Sequence, residues 1–142
     1  MEEKVLLVDD EKDFLDALGE RMANRGMNVS TTTSAKDAVK KVQEESYDAI
    51  VLDLQMPEMD GIEALKAIKK INPDMQVILL TGHATVEKGI EAMKLGAMDL
   101  IEKPADIETI AEKIKKAQAN KMILVEKKTE KKIRQIMSTK AW

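Results

Sequence analysis

Two hydrophobic patterns alternate along the chain. Short and nearly unbroken apolar runs predict strands buried on both faces of a sheet; they occur at Val5–Val8, Met27–Thr32, Ala49–Leu52, Val77–Leu80 and Met98–Ile101. After each run, apolar residues recur every three or four positions, which is the spacing of a helix with one buried face. The pattern therefore predicts five consecutive strand–helix units.

Residues that start or stop helices lie where this pattern needs them. Gly26 and Gly96 follow the first and fourth helical stretches, and Ser34 is placed to cap the second. Asn72-Pro73-Asp74 closes the third. Because strands joined in series by helices form a parallel sheet with helices on both faces, we predict an α/β, doubly wound fold with a five-stranded parallel sheet.

Composition narrows the class of protein. The 142 residues suit one domain, and the absence of cysteine excludes disulfide bonds, thiolate metal sites and thiol nucleophiles. No apolar run reaches the roughly 20 residues that span a bilayer, and the first residues do not fit a signal peptide. We expect no membrane association and a cytoplasmic location. Only three aromatic residues are present, which argues against a stacking platform for single-stranded nucleic acid.

Charge is distributed unevenly along the chain. Residues 1–120 hold 24 acids against 16 Lys and Arg, a net charge of −8, whereas residues 121–142 hold seven Lys and Arg against two acids, a net charge of +5. We therefore divide the chain into a domain at 1–120 and a basic extension at 121–142. No glycine or proline follows Pro104, so we expect the fifth helix to continue into the extension.

The extension has several interpretations. It is either a solvated helix face or an amphipathic helix that docks on a partner, pairs with a second copy or meets an acidic surface. Nonspecific contact with nucleic acid is opposed by the acidic domain, and specific nucleic-acid binding is not expected from so short a segment.

Candidate chemistry lies at the carboxyl ends of the predicted strands. Asp9 and Asp10 follow the first strand, Asp53 ends the third, Thr81 follows the fourth and Lys103 follows the fifth. In open parallel sheets this edge holds the ligand site. Three carboxylates suit Mg²⁺, a lysine and a hydroxyl suit phosphoryl oxygens, and an aspartate in this setting is able to attack phosphorus.

An ordinary structural role is the alternative for each of these residues taken singly. Acidic residues at strand ends are common because loops are polar, Thr81 is able to form a turn before Gly82, and Lys103 is able to lie on the surface. The joint occurrence of all of them at one edge favours a site.

Four motifs resemble those of bacterial response-regulator receivers, in the same order and over about residues 4–118. They are Lys4-Val5-Leu6-Leu7-Val8-Asp9-Asp10-Glu11, the segment from Asp53 to Gly61, Leu79-Leu80-Thr81-Gly82, and the segment from Gly96 to Pro104. The resemblance implies a flavodoxin-like (βα)5 fold with strand order 2-1-3-4-5, here with an extended C-terminal helix.

By that resemblance, Asp53 accepts a phosphoryl group from a sensor histidine kinase or a phosphotransfer protein. The resemblance also implies that Asp10 and Asp53 bind Mg²⁺ through their side chains, Asp9 mostly through water and Gln55 through its backbone carbonyl. In family terms the protein is a signalling switch that catalyses only its own phosphorylation and dephosphorylation.

The resemblance further implies how the signal leaves the site. Thr81 and Lys103 contact the phosphoryl oxygens, and the Lys103–Pro104 peptide bond is cis. Movement of Thr81 repacks the face made by the fourth helix, fifth strand and fifth helix, which meets a downstream target protein. A homodimer through that face or through the C-terminal helix is left open.

Two positions concern the switch itself. Leu100 stands where the family commonly has Tyr or Phe, so we expect the aromatic half of the coupling to be absent or replaced by aliphatic repacking. His83 is the single histidine and lies two residues beyond Thr81. It is either an exposed loop residue or, with Gln55, a group that tunes loss of the phosphate.

We predict a stand-alone, single-domain receiver, and three rivals remain. A metal-dependent phosphotransferase or phosphatase would need a general acid or a substrate cap, but Gln55 is not an acid and the loops are short. A transcription factor without its effector portion shares the same receiver chemistry. A degenerate receiver that serves only as a scaffold is disfavoured because all five site residues are present.

Overall fold

The computed structural model describes residues 2–57, 59–82 and 86–139. Its five strands are all parallel and lie in the order β2-β1-β3-β4-β5. The bounds are β1 Lys4–Val8, β2 Asn28–Thr32, β3 Ala49–Asp53, β4 Val77–Thr81 and β5 Asp99–Glu102. The predicted fold class and the strand order implied by the resemblance are both confirmed.

Five helices cover the sheet on both sides. They are α1 Lys12–Asn24, α2 Ala35–Glu44, α3 Gly61–Ile71, α4 Val86–Lys94 and α5 Ile107–Thr139. Buried side chains of α2, α3 and α4 share one hydrophobic cluster, which includes Leu6 and Val8 of β1. Those of α1 and α5 share a second cluster, which includes Val5 and Leu7. Alternate residues of one strand thus point into the two opposite cores, which explains why the strands are apolar throughout.

The predicted helix ends are confirmed by local geometry. The Ser34 side chain accepts a hydrogen bond from the Asp37 N–H at 3.2 Å, which caps α2. Gly26 and Gly96, just beyond α1 and α4, have φ values of 87° and 104°. Residues with a side chain rarely adopt such φ values. Glycine at these two positions therefore allows the chain to turn back toward the sheet.

Strand bounds differ from the predicted ones by one residue. Met27 does not open β2, because its N–H donates to the Met22 carbonyl at 3.3 Å and closes the end of α1. Similarly, β5 begins at Asp99 and not at Met98. Asp53 and Thr81 are the last residues of β3 and β4 and so belong to the sheet itself.

Helix α5 is 33 residues long and continues unbroken across the predicted boundary at residue 120. Its first part buries Ile110, Ile114 and Ala117 against the sheet. The continuation to Thr139 agrees with the expected extension, whereas the division into 1–120 and 121–142 stays a prediction. Among the described helices, α5 included, none is both long enough and apolar enough to cross a lipid bilayer.

Candidate functional site

The three aspartates predicted at the sheet edge come together. β1 and β3 are neighbours in the sheet, and the strand order reverses between them: β2 lies on the far side of β1, and β4 and β5 lie on the far side of β3. The carboxyl ends of β1 and β3 therefore meet at this switch point. One carboxylate oxygen from each of Asp9, Asp10 and Asp53 lies within 4.8 Å of the other two. Asp9 is 1% exposed and Asp53 4% exposed, whereas Asp10 is exposed. Two buried negative charges are therefore held side by side.

Lys103 supplies the opposing charge. It follows β5 directly, and its Nζ lies 2.7 Å from Asp9 Oδ2 and 3.5 Å from Asp53 Oδ2. The Phe14 ring of α1 lies beside it, with the ring centre 4.5 Å from Nζ. Burial alone would lower the pKa of Lys103, but the two aspartates outweigh burial and raise it. The ammonium group is thus kept charged within the site.

Backbone groups orient the two buried carboxylates. Oδ1 of Asp9 accepts the Glu11 N–H at 2.9 Å, and Oδ1 of Asp53 accepts the Gln55 N–H at 3.1 Å. Both contacts span two residues, the geometry by which aspartate shapes a turn. Each carboxylate therefore has one oxygen fixed by the loop that follows it and a second oxygen directed toward Lys103.

Thr81 ends β4 beside these groups and is fully buried. Its hydroxyl donates to the Gly82 carbonyl at 2.9 Å, and its own carbonyl accepts the Lys103 N–H at 2.8 Å. The backbones of Thr81 and Lys103 are thus hydrogen-bonded to each other at the ends of β4 and β5. The Lys103–Pro104 bond is cis, as the resemblance implies.

The loop after β3 folds back on the strand it leaves. Gly61 N–H donates to the Leu54 carbonyl at 3.2 Å, and Asp60 Oδ1 accepts the Ile62 N–H at 3.0 Å, which caps α3. A side-chain carbon at Gly61 would lie 2.5 Å from Leu54 Cα and 2.8 Å from the Asp53 carbonyl oxygen. Only glycine allows this approach, which brings the start of α3 close to Asp53.

The electrostatics of Asp53 suit a site for a cation. Burial, together with the charges of Asp9 and Asp10, raises the pKa of Asp53 to about 6, although the Gln55 N–H and Lys103 act to lower it. Three oxygen-donor carboxylates without sulfur or imidazole among the described ligands are the donor set of a hard cation such as Mg²⁺. A divalent cation would offset the repulsion among the three carboxylates that Lys103 alone does not neutralise.

Asp53→Asn is expected to raise the free energy of unfolding by about 1–2 kcal/mol near pH 7.5 in metal-free buffer, because it removes a buried negative charge. The pKa of Asp53 is about 6 in the folded protein and ordinarily 3.8. The folded state therefore binds this proton more tightly, so the contribution of Asp53 to stability is greatest below about pH 4 and is lost as pH rises through about 6. Urea unfolding of both proteins should show the gain at pH 7.5 and its loss below pH 4. Equal stabilities at pH 7.5 would contradict this account.

Leu100 occupies a position next to α4. Its side chain is half-buried and packs with the cluster of α2, α3 and α4, and a side-chain carbon at Gly89 would lie 2.7 Å from Leu100 Cδ2. Gly89 thus provides the space that Leu100 fills. The Gln55 side chain is exposed near the site, and His83 lies outside the described residues.

Residues 5–115 match the response regulator receiver domain family, which is most of the chain. The chain belongs to this family. Receiver domains act as phosphoacceptor switches: they typically bind Mg²⁺ at an acidic pocket and interact with sensor kinases and downstream effectors. In this receiver, Asp9, Asp10 and Asp53 form an acidic cluster.

Curated relatives are regulators of two-component systems. The receiver is 36% identical over 116 residues to the transcriptional regulatory protein ZraR of Escherichia coli (strain K12), a match that covers 82% of this chain and 26% of the relative. It is 40% identical over 102 residues to a putative NtrX-like response regulator of Rickettsia conorii, with 70% and 22% covered. The chain thus spans about a quarter of the length of the curated relatives it matches.

Solved structures confirm the fold. A receiver domain protein from Clostridium thermocellum has a TM-score of 0.83 and 34% identity, with 86% of this chain and 98% of that chain covered. An adenylate cyclase structure from Rhodopirellula baltica has a TM-score of 0.86 and 25% identity, with 93% and 98% covered. The second match covers 93% of this chain, a larger share than residues 5–115 make up. It therefore continues past residue 115 along the extension of α5.

The structure also contains features that the sequence pattern did not single out. Phe14 lies in the helical stretch after the first strand, and its ring lies against the Lys103 ammonium. Lys88 of α4 lies 3.8 Å from Asp60 and, with Asp10 and Gln55, lines an open cavity of about 510 Å³. The spacing of Phe14, one position before Leu15, gave no signal that distinguished a site residue from a core residue.

Proposed function

We propose that Asp53 is the phosphoacceptor of this receiver and that the protein relays signals by accepting a phosphoryl group from a sensor histidine kinase or a phosphotransfer protein. One observation carries the proposal: Lys103 Nζ lies 2.7 Å from Asp9 and 3.5 Å from Asp53, inside a cluster of three carboxylates. This arrangement presents a nucleophilic oxygen beside positive charge, which is what phosphoryl transfer requires.

In the transfer, a carboxylate oxygen of Asp53 forms the new P–O bond as the P–N bond of a phosphohistidine breaks. The electron pair of the broken bond stays on the imidazole nitrogen of the donor. The Gln55 N–H already binds Oδ1 of Asp53, which leaves Oδ2, the oxygen that faces Lys103, as the nucleophile. The open cavity of about 510 Å³ that Asp10 and Gln55 line offers room for the donor beside the site.

The ligands of Mg²⁺ in this proposal are the side chains of Asp10 and Asp53, Asp9 through water, and the backbone carbonyl of Gln55. These residues would hold the ion, and the positive charge that Mg²⁺ supplies when bound would offset charge on the phosphoryl oxygens and on the carboxylates. Asp10 is exposed at the mouth of the site, so its carboxylate can reach a cation without breaking an existing contact of Asp9 or Asp53 with Lys103.

Lys103 and Thr81 hold the transferred group. Lys103 is already directed at the carboxylate oxygens, so the ammonium needs only to exchange one of them for a phosphoryl oxygen. Thr81 would redirect its hydroxyl from the Gly82 carbonyl to the phosphoryl group. Because Thr81 is fully buried at the end of β4, this change would shift the atoms packed against it in the neighbouring strand and helix.

The output in this proposal is the face formed by α4, β5 and α5. On α4 and the turn after it, Ile90 is 52% exposed, and Met93 and Leu95 are each 37% exposed. Leu100 lies against Gly89 of α4, so aliphatic repacking at this contact takes the place of an aromatic switch residue. The exposed apolar residues support contact between this face and a downstream target protein.

A second function is favoured by the length of the curated relatives. ZraR is a transcriptional regulatory protein of which this chain spans 26%. The receiver would then control the remainder of such a regulator instead of acting alone. The reading frame that encodes the chain distinguishes the two functions, since only a regulator of this kind continues into further domains.

Phosphoryl transfer to the protein is expected from acetyl phosphate in the presence of Mg²⁺, because the site itself supplies the groups that bind the phosphoryl oxygens. Intact mass should rise by one phosphoryl group. A matched sample with excess chelator should show no gain, since Lys103 alone leaves a net negative charge in the carboxylate cluster. No gain in either sample, from protein that remains folded, would count against the proposal.

A further inference from the structure

Lys103 has a third neighbour besides its two aspartates, the ring of Phe14. Nζ of Lys103 lies over this ring, 4.5 Å from the ring centre. The carboxylate oxygens of Asp9 and Asp53 lie 2.7 Å and 3.5 Å from the same nitrogen. An ammonium has three N–H groups and no acceptor, so it can engage three neighbours. The Lys103 side chain is only 21% exposed, and the ring thus takes a position at the ammonium that water would otherwise fill.

The interaction between Lys103 and Phe14 is a cation–π contact. The face of an aromatic ring is electron-rich, and it attracts a cation most strongly where the pair is shielded from water. Phe14 is half-buried and packs against the hydrophobic cluster that α1 shares with α5. The contact therefore lies at the border between this core and the acidic cluster, where the attraction is worth more than at an open surface.

Local structure fixes the ring relative to the aspartates. Asp9 pairs with Lys103 through Oδ2, and its Oδ1 accepts the Glu11 N–H at 2.9 Å. Glu11 directly precedes α1, and its carbonyl accepts the Leu15 N–H at 3.0 Å in the first turn of the helix. Phe14 lies in that turn. One carboxylate therefore holds Lys103 directly and also orients the helical turn that carries the ring.

Phosphoryl transfer changes the charged partners of Lys103. Once Oδ2 of Asp53 has formed the P–O bond, it no longer carries the charge that attracts Nζ across 3.5 Å. Asp9, at 2.7 Å, keeps its charge and competes with the phosphoryl oxygens for the ammonium. The ring is the same before and after transfer, and it attracts the ammonium without supplying a competing anion. An uncharged partner of this kind holds Nζ in place while its anionic partners exchange.

We propose that Phe14 is a positioning residue for phosphoryl transfer: its ring holds the Lys103 ammonium beside Asp53 while a phosphoryl oxygen replaces the carboxylate oxygen as the partner of Lys103. This inference rests on the proposed role of Asp53 as the phosphoacceptor. In this role Phe14 acts through Lys103 and needs no contact with the phosphoryl group. The ordinary alternative is that Phe14 only fills the core beside α1, which predicts an effect on stability and none on the rate of transfer.

Leucine at position 14 separates these two roles. Phe14→Leu keeps an apolar side chain against the same cluster but removes the ring face. The rate of transfer from acetyl phosphate at saturating Mg²⁺, followed by intact mass, should fall at least about fivefold. Leu18→Val is the matched control, because Leu18 lies one turn further along α1, is 7% exposed and would lose one methylene. It should lower stability yet leave the transfer rate within about twofold of the wild-type rate.

Fluorination tests the charge on the ring face with little change in packing. The chain has a single phenylalanine, so a fluorinated analogue placed at Phe14 is the only one in the protein. Ring fluorines withdraw electron density from the face that attracts the cation. The transfer rate should fall in steps as one and then three ring fluorines are introduced, with the trifluoro form at least about threefold below the unmodified protein. A ring that serves only for packing would give the same rate in all forms.

The wild type separates failure of this inference from failure of the proposed function. A wild type that gains no phosphoryl group would overturn both. If the wild type gains the group but Phe14→Leu or the trifluoro form keeps its rate, the role of Phe14 alone is overturned. An equal loss of rate in Leu18→Val would also overturn it, since the effect would then follow stability. Circular dichroism and urea unfolding establish that each protein is folded under the assay conditions.

Discussion

Lys103→Gln is expected to slow phosphoryl transfer to Asp53 at least about hundredfold, the usual cost of removing one preorganised charge that stabilises a transition state. Lys103 Nζ is within 3.5 Å of both buried carboxylates. Glutamine is one atom shorter and is still able to donate a hydrogen bond, but it has no charge to offset the phosphoryl oxygens. The loss should therefore appear in the rate of transfer even when Mg²⁺ is saturating.

The rate is measured by intact mass over time after addition of acetyl phosphate and Mg²⁺. Lys4→Gln is a matched control, because Lys4 forms an ion pair with Glu45 at 3.3 Å at the opposite edge of the sheet. That variant should be phosphorylated at the wild-type rate. Transfer to Lys103→Gln within about threefold of the wild-type rate would show that the ammonium is not part of the transfer machinery.

Gly61→Ala is expected to lower the free energy of unfolding by about 3 kcal/mol, a large cost for one methyl group. The added carbon would lie 2.5 Å from Leu54 Cα and 2.8 Å from two backbone carbonyl oxygens. These neighbours are backbone atoms of the strand end and loop, so they cannot move aside as a flexible side chain does. To remove this overlap, the segment that follows Asp53 must shift. Because that segment adjoins Asp53, phosphoryl transfer should slow as well.

Gly19→Ala provides the control for this experiment. Gly19 lies within α1, and the nearest contact of an added carbon is a side-chain atom of Thr31 at 3.5 Å, an ordinary contact distance. Alanine should therefore stabilise the protein by about 0.5–1 kcal/mol through helix propensity. Urea unfolding of the two variants should give changes of opposite sign. A Gly61→Ala protein as stable as the wild type would mean that the loop accommodates the methyl group.

The fold was predictable because its signals are local. Apolar runs, capping residues and glycines such as Gly26 each mark one element, and the sheet order followed from the resemblance. The one-residue errors at Met27 and Met98 have a shared cause. An apolar residue between a helix and a strand packs in the core in either case, so hydrophobicity does not locate the boundary.

The candidate site was predictable only in part. The strand-end rule placed Asp9, Asp53 and Lys103 at one edge, since each residue follows or ends a strand. It could not indicate that Phe14 contacts Lys103 or that Gly89 makes room for Leu100. Those contacts join elements far apart in sequence, and they depend on how helices pack on the sheet.

The central claim is that Asp53 itself accepts the phosphoryl group. The most direct test compares the wild type, Asp53→Asn and Asp16→Asn after incubation with Mg²⁺ and acetyl phosphate, since Asp16 is an exposed aspartate of α1 away from the site. Intact mass is expected to show one added phosphoryl group on the wild type and on Asp16→Asn and none on folded Asp53→Asn. An equal gain by Asp53→Asn would contradict the account, because the phosphoryl group would then reside on another residue.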